Sequence, residues 1–333
     1  MWYPALRPLL FALDPERAHA LALSGLRLAG RLPARMPAAA AVDLLGLRFP
    51  NRVGLAAGFD KNALAVDGLG TIGFGFIEVG TVTPRAQAGQ PRPRLFRLPA
   101  AGALVNRLGF PNDGAEAIAR RLRRRRYRGI VGVNIGKNAT TPISRAVDDY
   151  IGCLRSVHGV ADYIAVNVSS PNTEQLRELQ AAGRLEPLLT ALLDERGRLV
   201  AGRRLPLLLK IAPDLDGDEL AAIDGLVLRL GLDGVIATNT TVRPPLGPAT
   251  AGIERGGMSG APLRALALRT VGELRARLGP QVAIVGVGGV DSPQAAVAMR
   301  AAGADLVALY TGLVYRGPSL VAQCVRALAA REP

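Results

Sequence analysis

Of 41 basic residues only three are lysine, and each of them, Lys61, Lys137 and Lys210, lies in a segment marked by Gly, Asn or Pro just after an apolar run. Arginine is a planar fork that stays charged, whereas lysine is a compact charge whose pKa can be moved. A chain this rich in arginine is expected to keep lysine where a crowded site excludes the fork. Lys210 stands within Leu-Leu-Leu-Lys-Ile-Ala-Pro. A lysine at such a place suits a Schiff base, or neutralises negative charge on a reduced flavin or an enolate; an ion pair with a carboxylate is the structural alternative. Asn134, Asn167, Asn172 and Asn239 offer donors and acceptors at the ends of other runs. They favour the electrostatic use and suit a planar heterocycle with imide-like edges better than a sugar phosphate. The densest group is Ala-Val-Asn-Val-Ser-Ser-Pro-Asn-Thr at 165–173. Its serines either cap a tight turn, or one of them takes a proton from a carbon beside a carbonyl while another group receives a hydride. His19 lies near the N-terminus and His158 precedes the fourth run, so both read as structural and a Ser-His-Asp triad is poorly supported.

Eight apolar runs carry these residues: 53–58, 74–83, 130–137, 163–170, 205–213, 234–241, 281–290 and 306–312. Longer segments with helical periodicity separate them, which is the pattern of a parallel sheet with crossover helices, and eight such units predict a closed (β/α)8 TIM barrel. Polar residues gather at the C-terminal ends of the runs, where a barrel assembles its catalytic face. Gly286-Val287-Gly288-Gly289 after the seventh run and Tyr310-Thr311-Gly312 after the eighth predict a cradle for a phosphorylated cofactor or substrate. Two connections, 84–113 and 242–260, are long enough to act as lids or substrate-binding segments. Residues 1–42 stand apart as a helical extension before a catalytic barrel over 43–333. Leu6, Leu10 and Leu13 share one helical face; Asp14 as N-cap with Pro15 at the first position opens a second helix carrying Ala22, Leu26 and Ala29. Gly30 and Pro33 close it, and 34–41 reads as a tether. With Trp2, Tyr3, Arg7 and Arg17, this pair would lie in a bilayer interface and shelter a greasy ligand; a barrel cap or an oligomer contact are the alternatives.

Composition narrows the class. With 49% hydrophobic residues the 333-residue chain can bury a large core. Cys153 and Cys324 are too few for a disulfide framework or a metal cage and read as buried thiols in a reducing compartment. No apolar run reaches the roughly 18 residues of a membrane span, and the N-terminus does not read as a signal peptide. The net charge of +14 and the arginines between 120 and 128 invite a nucleic-acid reading. Only 4% of residues are aromatic, too few for base-stacking platforms, so the arginine run reads as a solvated helix face, with anionic lipid as its partner and no nucleic acid.

At its motifs the chain resembles the quinone-dependent (class 2) dihydroorotate dehydrogenases. The likeness rests on Ala-Ala-Gly-Phe-Asp-Lys at 56–61, Asn-Arg-Leu-Gly-Phe at 106–110, Val-Asn-Ile-Gly-Lys-Asn at 133–138, Asn-Val-Ser-Ser-Pro-Asn-Thr at 167–173, Thr-Asn-Thr-Thr at 238–241 and Gly-Gly-Met-Ser-Gly at 256–260. The resemblance implies a barrel that binds one FMN and oxidises dihydroorotate to orotate in pyrimidine biosynthesis. Electrons would leave to ubiquinone or menaquinone, from a peripheral position on the cytoplasmic side of the cell membrane. It makes Ser170 the base that removes the C5 proton as the C6 hydride leaves; related soluble classes carry cysteine there. It makes Lys61, Asn106, Arg107, Leu108, Gly109, Phe110, Asn172, Asn239 and Thr240 substrate contacts, with Asn167 touching substrate and flavin. Ala57, Gly58, Phe59, Asp60, Lys61, Thr81, Asn134, Lys210, Thr238, Gly260, Gly289, Tyr310 and Thr311 would hold FMN. Thr173 or a water would relay the proton from Ser170, Lys137 would act indirectly, and Arg97 would lie near the inner end of a quinone path under the extension. Pro111 departs from the family pattern and is expected to stiffen its loop.

Rival readings remain distinguishable. A dihydrouridine synthase acting on tRNA would want a catalytic cysteine on the barrel face, a Schiff-base aldolase would trap substrate on Lys210 with borohydride, and a basic nucleic-acid scaffold would be colourless.

Overall fold

The computed structural model describes residues 3–32, 37, 39–173, 175–199, 204–242 and 255–330. Trp2, Pro33, half of the expected tether and the 243–254 part of the second long connection therefore lie outside the described residues. The strands are β1 (Val42–Leu44), β2 (Leu47–Phe49), β3 (Val53–Leu55), β4 (Phe76–Val82), β5 (Leu95–Leu98), β6 (Ala103–Asn106), β7 (Ile130–Ile135), β8 (Tyr163–Asn167), β9 (Leu207–Ile211), β10 (Gly234–Ala237), β11 (Gly257–Gly260), β12 (Ala283–Val287) and β13 (Leu306–Leu309). The helices are α1 (Tyr3–Ala12), α2 (Pro15–Ala29), α3 (Val66–Gly70), α4 (Ala115–Arg123), α5 (Ala146–Val157), α6 (Ala182–Leu199), α7 (Gly217–Leu230), α8 (Arg264–Leu278), α9 (Pro293–Ala301), α10 (Thr311–Arg316) and α11 (Ser319–Ala329).

Strands β3, β4, β7, β8, β9, β10, β12 and β13 close in chain order into a parallel barrel, one from each of the eight apolar runs. Their residues are buried almost throughout because barrel strands have side chains on one face and helices on the other, so they read as continuous apolar runs. Register brings the polar ends together: Asn167 of β8 lies beside Lys210 of β9, and Gly80 of β4 beside Asn134 of β7. The opposite end is apolar. Phe49, Phe76 and Tyr163 stack edge to face through the barrel's lower interior, at centroid distances of 5.7 and 6.4 Å. The β1–β2 hairpin packs beneath them with Val42, Leu44, Leu45 and Leu47. It takes in Val42, one residue ahead of the boundary set by the sequence.

The two long connections meet each other. Strands β5, β6 and β11 form one antiparallel sheet, with Asn106 of β6 facing both Leu95 and Gly257. Both expected lids thus contribute to a single cover beside the barrel mouth.

The N-terminal helices form as the capping signals predict. Asp14 accepts from the backbone N–H of Glu16 and Arg17 at 3.0 Å, with Pro15 at the first position of α2. Helix α2 crosses α3 at contact distance: a side chain on Gly68 would meet Leu26 O at 1.8 Å, so only glycine permits this approach. Helix α1 docks through Tyr3 OH, which donates to Val314 O, and through Arg7, which donates to Tyr315 O at 3.1 Å.

Five of the seven arginines in the run, Arg120, Arg123, Arg124, Arg126 and Arg128, are exposed as expected, and three of the seven also hold specific partners. Arg121 reaches Asp113 and Asn62 O, Arg125 reaches Asp162 and Val160 O, and Arg126 reaches Asp67 and Gly30 O. Each of these guanidinium groups reaches one carboxylate and one backbone carbonyl, tying the end of α4 and the segment after it to neighbouring loops.

Candidate active site

The barrel mouth opens into a cavity with about 940 Å³ of open space, walled by the ends of the strands and the loops that follow them. Ala57, Gly58, Lys61, Thr81, Asn106, Leu108, Gly109, Phe110, Asn167, Ser170, Asn172, Lys210, Thr238, Asn239, Thr240, Gly260, Gly289, Tyr310 and Thr311 all line it. These come from the ends of seven of the eight barrel strands, all but β7, and from the cover sheet, so the gathering is a product of the fold and not of sequence proximity.

Four expected contacts stand off the wall, each for a visible reason. Arg107 turns outward, donating to Pro93 O at 2.9 Å and lying over the Phe96 ring. Phe59 packs edge-on against His19 and Tyr310. Asp60 folds back to accept from Leu64 and Ala65 N–H at 2.9 and 2.7 Å, shaping the turn that carries Lys61. Asn134 lies one layer below, bridging other side chains.

The amides are locked by one another. Asn134 Oδ1 accepts from Thr81 Oγ1 at 2.6 Å and from Asn167 Nδ2 at 3.1 Å. Asn167 Oδ1 accepts from Ser169 and from Asn239 Nδ2, which also reaches Ser169 Oγ at 2.9 Å. Asn172 Nδ2 donates to Asn106 Oδ1 at 3.0 Å, joining the serine loop to the cover sheet. Because each amide's orientation is fixed by its neighbour, the remaining donors and acceptors present a set pattern to a planar ring.

Ser170 is buried on the cavity wall, and its Oγ accepts from Asn172 N–H at 3.3 Å. Three residues on, Thr173 Oγ1 is buried and has no hydrogen-bond partner among the described residues. Lys61 Nζ donates to Gly58 O at 2.5 Å. Burial, then the Arg94 guanidinium, push its pKa down to about 8 against the pull of Glu16 and Asp60. Lys210 faces the cavity and pairs with Glu78 at 3.2 Å. Lys137 is buried off the wall and donates to Asn138 O and Thr141 O. Asn138 in turn holds Thr83 and Gln87 at the root of the cover.

Phe110 has φ of +54° directly before Pro111, a conformation costly for a bulky residue. Gln87 and Asn112 side-chain amides hold its carbonyl in place. Sequence reasoning passed over several wall residues, among them Ser259, which bonds Thr311 at 2.8 Å; the Gly-Gly-Met-Ser-Gly motif held that signal. It also passed over Glu78, whose partner stands 132 positions away.

His19 Nε2 lies 2.8 Å from Phe59 O, and burial pushes its pKa down to about 4, so it is neutral at physiological pH. Arg97 donates to the carbonyls of Leu10, Phe11 and Leu13 and stacks on Phe11 at 4.7 Å. It caps the C-terminus of α1.

Residues 39–331 match the family model for dihydroorotate dehydrogenase. A protein of Burkholderia mallei (strain SAVP1) named dihydroorotate dehydrogenase (quinone) is 52% identical over 339 residues, covering 99% of this chain and 98% of its own. One of the same name from Burkholderia multivorans (strain ATCC 17616 / 249) is 52% identical over 336 residues, covering 98% and 97%. Among solved structures, DHODH from Eimeria tenella in complex with ferulenol superposes with a TM-score of 0.89 at 38% identity, covering 95% of this chain and 90% of that one. Its ligand-free form gives 0.88.

Proposed function

The chain belongs to the dihydroorotate dehydrogenase family and oxidises dihydroorotate to orotate in pyrimidine biosynthesis, and from that premise we propose how its residues divide the work. The observation that carries the proposal is the buried Ser170 hydroxyl sharing one cavity with Lys61, Lys210 and the interlocked asparagines.

One FMN per chain fits the donor set. Gly288, Gly289, Tyr310, Thr311 and Gly312 line the cavity with small or hydroxyl-bearing residues suited to a phosphate. Ala57, Gly58, Thr81, Thr238 and Gly260 would meet the rest of the cofactor, with Lys210 beside the ring. Phe59, Asp60 and Asn134 would support these contacts from behind. FMN, when bound, accepts the hydride and hands its electrons to a quinone.

The protein's own residues handle charge and the proton. Lys61 pairs with the substrate carboxylate, and Asn106, Asn167, Asn172 and Asn239, with Thr240 and the 108–110 loop, meet the imide and amide edges. Ser170 takes the C5 proton. A hydroxyl is a weak base in water, so burial and an exit for the proton are needed; Thr173 Oγ1, three residues on and without a hydrogen-bond partner among the described residues, or a water would relay it.

The acceptor in this reading is ubiquinone or menaquinone, reached from a peripheral position on the cytoplasmic side of the cell membrane. Six of the eight large apolar residues exposed among the described ones lie on the N-terminal helices or in the turns that end them: Leu6, Leu9, Leu13, Leu21, Leu28 and Leu32. Among the described residues no helix is long and apolar enough to cross a membrane.

The visible spectrum of the purified protein, before and after anaerobic dihydroorotate, tests the reading. A flavin spectrum that bleaches, and recovers on adding a quinone, is expected. A colourless protein that cannot be reconstituted with FMN would reject it.

A further inference from the structure

Glu78 is a buried charged group, next to the cavity wall, that the proposed chemistry leaves unused. It sits on β4 with its side chain 3% exposed, and Oε1 accepts from Lys210 Nζ at 3.2 Å and from Asn134 Nδ2 at 2.9 Å. Its Oε2 accepts from Tyr163 OH at 3.1 Å. Tyr163 reaches it across a glycine: Glu78 pairs in register with Gly132, where any side chain would meet the Tyr163 ring at 2.1 Å. The local fold thus reserves space for this phenol. Burial and the neighbouring carboxylate hold the Tyr163 pKa well above its ordinary value, so it remains a donor.

The two charges face differently. Lys210 lines the cavity, whereas Glu78 stays behind the wall. We propose that Glu78 is a positioning residue for the flavin chemistry: it holds the Lys210 ammonium at the cavity wall and compensates its charge, so that the pair sets how strongly the site favours the reduced, negatively charged cofactor. The ammonium alone would attract that charge strongly in this low-dielectric interior. A fixed carboxylate behind it moderates the pull, leaving reduced cofactor easier to reoxidise. The proposal rests on the FMN reading above.

The test is the midpoint potential of bound FMN in Glu78→Gln, which removes the charge and keeps the shape. The reduced cofactor is expected to gain at least tenfold in affinity relative to the oxidised form, a rise of about 30 mV for a two-electron couple. In a Lys210→Met background the same substitution is expected to give no such rise, because the two residues act as one unit. An unchanged potential in a folded, FMN-loaded Glu78→Gln protein that still bleaches with dihydroorotate overturns the proposal and leaves the FMN reading intact. Failure of the wild type to bind FMN would sink that reading instead. Should Glu78→Gln not fold, the Glu78→Gln/Lys210→Met double variant is expected to fold, since the uncompensated ammonium has gone; a double variant that also fails to fold overturns the proposal.

Discussion

In the proposed division of work Lys61 and Ser170 make opposite uses of burial. For Lys61 burial is the largest cause that brings the ammonium's pKa to about 8. A base with a depressed pKa loses its charge as pH rises through that value, so orotate affinity in the free enzyme is expected to be flat below pH 8. Above it, where the uncharged form dominates, affinity should weaken by up to about tenfold per unit until binding that does not need the ammonium takes over. Titrating orotate into the protein across pH 6 to 10 checks this, and Lys61→Met should lose the inflection; an inflection near the ordinary lysine value would discard the burial argument. For Ser170, the proposed base, burial would keep water from the hydroxyl. Ser170→Ala is expected to retain FMN but slow its reduction by dihydroorotate by about 10²–10⁴-fold in stopped flow, while Ser170→Cys keeps partial activity. Near-normal reduction in the alanine variant would remove Ser170 as the base. Residues of this kind were legible in the chain because an isolated lysine or a Ser-Ser-Pro turn has few structural reasons to follow an apolar run. Glu78 was not legible. It reads as an ordinary position in Phe-Ile-Glu-Val, and its meaning depends on Lys210, Asn134 and Tyr163 from three other strands. Arg107 misled for the converse reason: it adjoins a residue of the cavity wall, but its own side chain turns away.

At the scale of elements, the eight barrel strands were readable because double-sided burial leaves an unbroken apolar run. The β1–β2 hairpin was not, because its turn is Leu45-Gly46, both at positive φ. The hairpin signal is Asn-Gly or Asp-Gly, and leucine is an unlikely occupant of that backbone. The cover sheet was equally hidden, since β11 pairs with β6 from 151 residues away. One helix contact carries a cost. Asp224 of α7 is 3% exposed, and neither carboxylate oxygen has a hydrogen-bond partner among the described residues, with Arg277 of α8 at 3.5 Å. Burial pushes its pKa up to about 6 against the pull of Arg277. The folded chain therefore binds this proton more tightly than the unfolded chain, and the ionised carboxylate destabilises the fold above pH 6. The penalty fades as pH falls through 6. Asp224→Asn is expected to stabilise the protein by about 1–3 kcal/mol at pH 7.5, with the advantage gone at pH 4. Thermal melts of both proteins across that range check it, and a constant difference would mean that burial of the charge is not the cause.

Over the whole molecule, the +14 charge is spread through arginines that hold loops and helix ends, and the N-terminal helices are wired into the catalytic end by the same device. Glu16 of α2 accepts from Arg94, which also holds the carbonyls of Ala88 and Gln90 in the cover, while His19 meets Phe59 O beside the Lys61 turn. Arg97 of β5 caps α1. Removing residues 1–40 therefore takes away more than an apolar surface. That truncation is expected to abolish quinone reduction and vesicle binding, and also to raise the KM for dihydroorotate several-fold as the Arg94 clamp is lost, with the rate of flavin reduction at saturation little changed. A milder change separates the two effects. Leu9, Leu28 and Leu32 point outward, at 68%, 64% and 65% exposure, and touch neither joint. Replacing all three by serine removes about 2–3 kcal/mol of apolar burial per side chain at a bilayer surface and leaves Glu16, His19 and Arg97 in place. Sedimentation with anionic-lipid vesicles should show binding lost in the triple variant, while its KM for dihydroorotate and its turnover with a water-soluble quinone stay at wild-type values. Vesicle binding that survives the three substitutions would move the membrane contact elsewhere. A KM that rises as far as in the truncation would mean that the outward face, and not the Glu16–Arg94 clamp, supports the substrate cover.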